Sequence, residues 1–257
     1  MSNFSTDAIL LKKIEYGDYD FIICFFTKDK GKISVIAKNA KKSIQRFSGA
    51  LDLFSVNHIF CTLPKKNKEA LTILSSADLK EGFVNIRYNF IKTGYASYWA
   101  ELLYLWLEEE KRQTKLYDLL LSSFDILNQG YVLKEVANLI FQLEFLKISG
   151  LSPNFENCKK CKESLDNTKG LKVWFDFLEG YFICEKCDEK KLKYGIRISK
   201  GTLKQLGWIS KNNIDRTKRM KFSSFIIKEG EKLLELFIMF HIKKDFKSLH
   251  FLEQIRQ

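Results

Sequence analysis

Over its first 80 residues the chain alternates short apolar runs with polar breaks. AILLKKI, FIICFF, KISVIA, LDLFSVNHIFC and ALTILSSA are apolar, and YGDYD, TKDKGK and PKKNK separate them. Apolar side chains at every second position, bounded by Gly, Asp and Lys turns, predict five short strands. That many antiparallel strands in so little chain suit a small closed or partly open barrel, because closure leaves no edge to pair with another molecule. An OB-fold is the expected version, with an SH3-like barrel as the alternative.

Past Glu81 the apolar period lengthens toward that of a helix. It runs through Tyr95, Tyr98, Trp99, Leu102, Leu103 and Trp106, then Leu116, Leu119, Leu120 and Leu127, then Val136, Leu139, Ile140, Leu143 and Leu146. Three or so helices follow the barrel. Gly150 and Pro153 stop the last of them, since glycine accepts a left-handed backbone and proline cannot continue a helix. Residues 199–257 predict further helices, with an apolar stripe at Leu233, Leu234, Leu236, Phe237 and Phe240, packing back on the first helical group. The expected class is α+β: an OB-fold domain at 1–80, a helical domain at 81–153 and 191–257, and a cysteine-bearing insert at 154–190. With two prolines, no repeat and no low-complexity linker, these parts are expected to be docked rather than strung out.

Composition adds that the chain folds: 257 residues, 46% hydrophobic, supply a substantial core. No apolar run approaches the roughly 18 residues that span a bilayer, and residues 1–7 lack the basic and apolar layout of a signal peptide. A cytoplasmic protein is expected, without a membrane partner. Its net charge of +12 is unevenly spread. Residues 1–80 hold thirteen Lys and Arg against eight Asp and Glu, residues 81–157 seven against ten, and residues 188–221 eleven against three. Basic ends around an acidic middle favour a polyanion such as nucleic acid, although an anionic membrane surface or plain solubility also accounts for them.

In a reducing compartment six cysteines argue for metal ligation rather than disulfides. Cys158, Cys161, Cys184 and Cys187 form two CxxC motifs separated by 22 residues. Two such turns complete a tetrahedral thiolate shell, which suits one structural zinc ion and leaves no open position for catalysis. GLKVWFDFLEGYFIC between them predicts a zinc-ribbon hairpin. A redox dithiol, an iron–sulfur centre and coincidence are the alternatives, and spacing does not separate zinc from iron. Cys24 and Cys61 lie in apolar strand runs, as small buried hydrophobes would.

Between residues 28 and 46 seven cations stand against Asp29. Lys38, Lys41, Lys42 and Arg46, in AKNAKKSIQRF, are the candidate phosphate contacts, a solvated basic loop being the alternative. Phe25, Phe26 and Phe47 are either stacking platforms for bases or core. Lys211, Arg216, Lys218, Arg219 and Lys221 are a second cluster, extending the path or merely solvated. Asp18 and Asp20 are a hairpin turn rather than a metal site. No GxxxxGK[ST], HExxH or GxSxG is present, and His58, His241 and His250 are scattered without an evident partner. A non-enzymatic protein is expected.

In order and spacing these features resemble the RecO recombination mediator family over nearly the whole chain. AILLKKIEYGDYDFIICFFTKDKGKISVIAKNAKKSIQRFSGALDLF is similar to its opening barrel, FQLEFLKISGLSPNFENCKKC and LEGYFICEKC to its two cysteine knuckles, and FHIKKDFKSLHFL, with Lys247 and Ser248, to its closing helix. Asn39 stands where the family has Gly, and Gln142 where it has Glu. The resemblance implies binding of single- and double-stranded DNA and annealing of complementary strands in the nucleoid. It also implies partnership with RecR in loading a RecA-type recombinase on strands coated by single-strand binding protein, whose C-terminal tail is a further partner. The rival readings are a zinc-stapled protein-interaction scaffold without direct DNA affinity, and an unrecognised nuclease or nucleotide-modifying enzyme.

Overall fold

β3 (Gly31–Ala37) shows most directly how the strand pattern becomes a barrel: every second residue is buried, and Ile33, Val35 and Ala37 enter one core. β1 (Asn3–Tyr16), β2 (Asp20–Thr27), β4 (Val56–Thr62) and β5 (Thr72–Glu81) complete it. The closed order is β1-β2-β3-β5-β4, all neighbours antiparallel except β3 with β5, which run parallel at Val35–Thr72 and Ile36–Ile73. This five-stranded Greek-key closure is the OB-fold. The computed structural model describes residues 3–64, 70–188, 193–212, 214–217 and 219–256. Most of the PKKNK break, the end of the expected insert at 189–190, and Lys218 lie outside them.

The fourth apolar run departs from expectation. Only its second half is strand, whereas Leu51–Phe54 is an irregular turn between α1 (Ile44–Phe47) and β4. Leu51 joins the barrel core while Phe54, at φ 71°, meets Phe124 edge-on at 5.5 Å. An unbroken apolar run marks burial but does not separate a strand from a plug that fills two neighbouring cores.

The described chain divides into two units, Met1–Gln129 with Phe246–Gln257, and Gly130–Asp245. In the first unit, α2 (Val84–Arg87) leads to α3 (Phe90–Trp106), α4 (Thr114–Gln129) and α9 (Lys247–Ile255). α3 buries Tyr95, Tyr98, Trp99, Leu102 and Leu103 and packs against β1, α4 and α9. Gly94 admits α9: a β-carbon there would lie 2.9 Å from Ile255 and 3.0 Å from Leu252. In the second unit α5 (Lys134–Ile148), α6 (Lys200–Lys211) and α8 (Ser224–Ile242) pack on one another, with α7 (Ile214–Thr217) between α6 and α8 in sequence. β6 (Lys172–Asp176), β7 (Tyr181–Ile183) and β8 (Gly195–Ser199) form a sheet ordered β7-β6-β8. No described helix is long and apolar enough to cross a membrane.

Candidate nucleic-acid interface and metal centre

The four predicted phosphate contacts lie on one loop that leaves the end of β3 and returns through α1. Asn39 lets the chain turn there, adopting φ 54°, a left-handed angle that asparagine tolerates and glycine favours. The loop is tied to the β1–β2 turn at four points. Asn39 N–H donates to Asp20 Oδ1 at 2.7 Å, and Lys41 N–H to the Tyr19 carbonyl at 3.0 Å. Lys41 Nζ pairs with Glu15 at 2.8 Å, and Lys42 Nζ lies 3.4 Å from the centroid of the Tyr19 ring. Asp20, the first residue of β2, thus accepts a hydrogen bond from the basic loop.

The four cations are unequal. Arg46 donates to the Lys38 carbonyl at 2.7 Å and to Ser43 Oγ at 2.8 Å and lies over the Phe47 ring, so much of its fork braces the loop. Lys41 is held by Glu15, whose carboxyl falls below its ordinary range through the Lys41 hydrogen bond and charge. Lys38 and Lys42 are exposed, and Lys38 has no ion pair among the described residues. Of the candidate stacking rings, Phe25 and Phe26 are fully buried and Phe47 nearly so; they are core. An exposed aromatic residue beside these cations is Tyr19, 42% exposed and under Lys42; Tyr16, 55% exposed, ends the adjoining strand β1. A tyrosine in a turn that polar residues alone could form was the available signal, and apolar counting passes over it.

The second basic cluster is partly committed. Lys211 pairs with Glu156, and Arg216 donates to Asn212 at 3.1 Å, while Arg219 and Lys221 are exposed. The histidines correct an expectation. His58 is partnered by Asp7, Nδ1 to Oδ1 at 2.7 Å, and His250 lies 3.7 Å from Glu253. Strand pairing of Asp7 with His58 makes the first contact, which a separation of 51 residues hides from sequence. His241 packs on Phe237 and Phe240. Burial pushes the thiols of Cys24 and Cys61 up to about 12, so both remain neutral hydrophobes.

The metal centre is assembled from two tight turns. In the first, Cys158 N–H donates to the Glu163 carbonyl at 2.9 Å, Lys162 N–H returns to the Cys158 carbonyl at 3.0 Å, and Lys162 takes φ 61°. In the second, a 3-10 turn at Glu185–Cys187 places Cys187 N–H on the Cys184 carbonyl at 3.0 Å. The β6–β7 hairpin joins the turns, and Lys159 N–H to the Phe182 carbonyl at 3.0 Å fixes one against the other. The sulfurs of Cys158, Cys161, Cys184 and Cys187 all lie within 4.8 Å of one another, 3.7 Å for Cys161 with Cys184, and can hold a metal ion. Burial raises all three thiols that depart from their ordinary value. At Cys158, N–H donors of Cys184, Cys161 and Lys160 outweigh it and bring the thiol down to about 7, whereas Cys184 stays raised. Cys187 rises to about 12, its neighbours Cys161 and Cys184 adding to burial. Ligation of a cation requires thiolates, so metal binding at such a cluster releases protons.

The chain matches two family models, described as recombination protein O N terminal over residues 1–83 and recombination protein O C terminal over residues 87–250. A DNA repair protein RecO of Desulfatibacillum aliphaticivorans is 41% identical over 257 residues, covering 100% of this chain and 99% of that protein. Those of Desulfosudis oleivorans and Syntrophus aciditrophicus are 32% and 30% identical, covering 100% and 98% of this chain and 99% and 96% of theirs.

Proposed function

The chain belongs to the recombination protein O family of DNA repair proteins, and from that premise we propose that it is a non-enzymatic recombination mediator acting on DNA in the cytoplasm, at the nucleoid. It binds single- and double-stranded DNA, anneals complementary strands and, with RecR, promotes loading of a RecA-type recombinase on strands coated by single-strand binding protein, whose C-terminal tail it engages. Lys38, Lys41, Lys42 and Arg46 meet the phosphates. Lys38 and Lys42 act as the outward charges, and Lys41 and Arg46 fix the loop that presents them. The observation that carries this reading is the basic loop bonded to the β1–β2 turn of an OB barrel, a part of that fold used for oligonucleotides.

Cys158, Cys161, Cys184 and Cys187 hold one zinc ion. A tetrahedral shell of thiolates at about 2.3 Å from zinc separates its sulfurs by about 3.8 Å, and the 3.7 Å between Cys161 and Cys184 fits this. Four thiolates close the shell, so zinc there supplies folding energy and no reaction. Residues 1–80 serve as the DNA-binding barrel, 81–153 and 191–257 as the two parts of the helical scaffold, and 154–190 as the zinc-ribbon insert.

The test is annealing of complementary labelled oligonucleotides followed by fluorescence transfer, comparing the native chain with a variant carrying Lys38, Lys41, Lys42 and Arg46 all changed to Ala. The native chain accelerates annealing, and the variant loses at least about tenfold, since each phosphate contact released contributes to affinity. A variant that anneals like the native chain contradicts the placement, and a native chain without effect favours the protein-interaction scaffold.

A further inference from the structure

We infer that Tyr19, in the turn that joins β1 to β2, is a base-stacking platform by which this chain distinguishes single-stranded from duplex DNA; the inference rests on the DNA-binding reading above.

Tyr16 and Tyr19 are both exposed, at 55% and 42%. Tyr16 ends β1 opposite Asp20, Gly17 turns the chain at φ 58°, and Tyr19 precedes β2 after Asp18, so both residues lie at the end of the hairpin. The backbone of this tip is held by bonds of Tyr19 carbonyl and Asp20 carboxylate to the basic loop. A ring on a braced turn loses little freedom when a base settles on it. By contrast, Phe21, the next aromatic, faces the core and is flanked by Lys13 at 5.0 Å and Lys41 at 5.6 Å from its centroid.

The second observation is the Lys42 ammonium, 3.4 Å from the Tyr19 centroid. This contact keeps a mobile side chain beside the ring, placing a phosphate-seeking charge within one nucleotide's reach of a surface that any base can stack on. Base and backbone are thus offered adjacent partners, an apolar face and a cation, which is the arrangement that binds single strands without reading sequence. In a duplex the base faces are already stacked on one another and are not offered to a ring, whereas the phosphates remain to be met. Tyr19 therefore contributes to single-strand affinity alone, whereas Lys42 contributes to both forms.

Fluorescence anisotropy on the full chain tests this with three probes of equal length: oligothymidylate, an abasic single strand and a blunt duplex. Tyr19→Ala weakens oligothymidylate binding by roughly five- to a hundredfold, the range one stacked base provides. It leaves the abasic strand, the duplex and the salt slope within twofold, and Tyr19→Phe restores oligothymidylate binding. Lys42→Ala weakens all three probes. Equal losses on oligothymidylate and the abasic strand after Tyr19→Ala overturn the inference, because the ring then merely props Lys42; so does no loss on any probe. Failure of the native chain to bind any probe removes instead the DNA-binding reading beneath it.

Discussion

At the scale of single residues, two carboxylates hold the first unit together in ways that can be measured. Glu101 of α3 accepts from Lys247 N–H at 3.3 Å, Ser248 N–H at 2.8 Å and Ser248 Oγ at 2.5 Å, and so caps the first turn of α9. Glu101→Ala strips acceptors from those donors and is expected to cost about 1–2 kcal/mol in urea unfolding, with Glu101→Gln costing less. Asp7 bridges three strands, meeting His58 of β4 and Lys80 of β5. Its partial burial opposes ionisation, yet hydrogen bonds from Lys80 and His58 and their charges prevail, so its carboxyl lies below the ordinary range. A depressed folded value stabilises the protein above the unfolded value, near 3.9, and the contribution is lost as pH falls through the folded value. Asp7→Asn should therefore lower stability at neutral pH and flatten its acid dependence below about pH 4, as read from thermal midpoints across a pH series. An unchanged acid limb contradicts the role given to Asp7.

At the scale of elements, the two cysteine turns and the hairpin between them bring together four sulfurs that can hold a metal ion. Elemental analysis should find one zinc ion per chain, and stripping it with a chelator should lower the thermal midpoint and expose Cys158 and Cys184, which are buried, to a thiol reagent. Cys184→Ser should do the same, and full thermal stability without metal would sink the assignment. This element was legible because thiolate geometry prescribes its spacing locally. So were the five strands, whose alternation is local too. β8 was not, since its pairing with β6 is decided by registers such as Phe175 with Ile196 across 21 residues. Leu51–Phe54 was misread for a different reason: apolarity there reports two cores meeting a turn. The aromatic candidates show the same limit, Phe25 facing the barrel core while Phe26 meets Tyr117 at 5.6 Å.

At the scale of the whole chain, a net charge of +12 favours a polyanion as partner, beside a membrane surface or plain solubility, but does not say which cations would meet it. That depends on pairings such as Lys41 with Glu15 and Lys211 with Glu156, which leave no trace in composition. The return of α9 to the unit containing the barrel is equally invisible to local pattern, because Ser248 finds Glu101 at a separation of 147 residues. Order and spacing of the motifs carried the family further than any one of them. The central claim is electrostatic and placed on one loop, and the salt dependence of DNA affinity tests it most directly. Four phosphates neutralised give a slope of log K against log salt near −3.6 on duplex and about −2.8 on a single strand. The native chain should approach these values, and the variant with Lys38, Lys41, Lys42 and Arg46 changed to Ala should fall well short of them with weaker affinity. Identical slopes and affinities in the two proteins would contradict the claim and move the interface off the barrel.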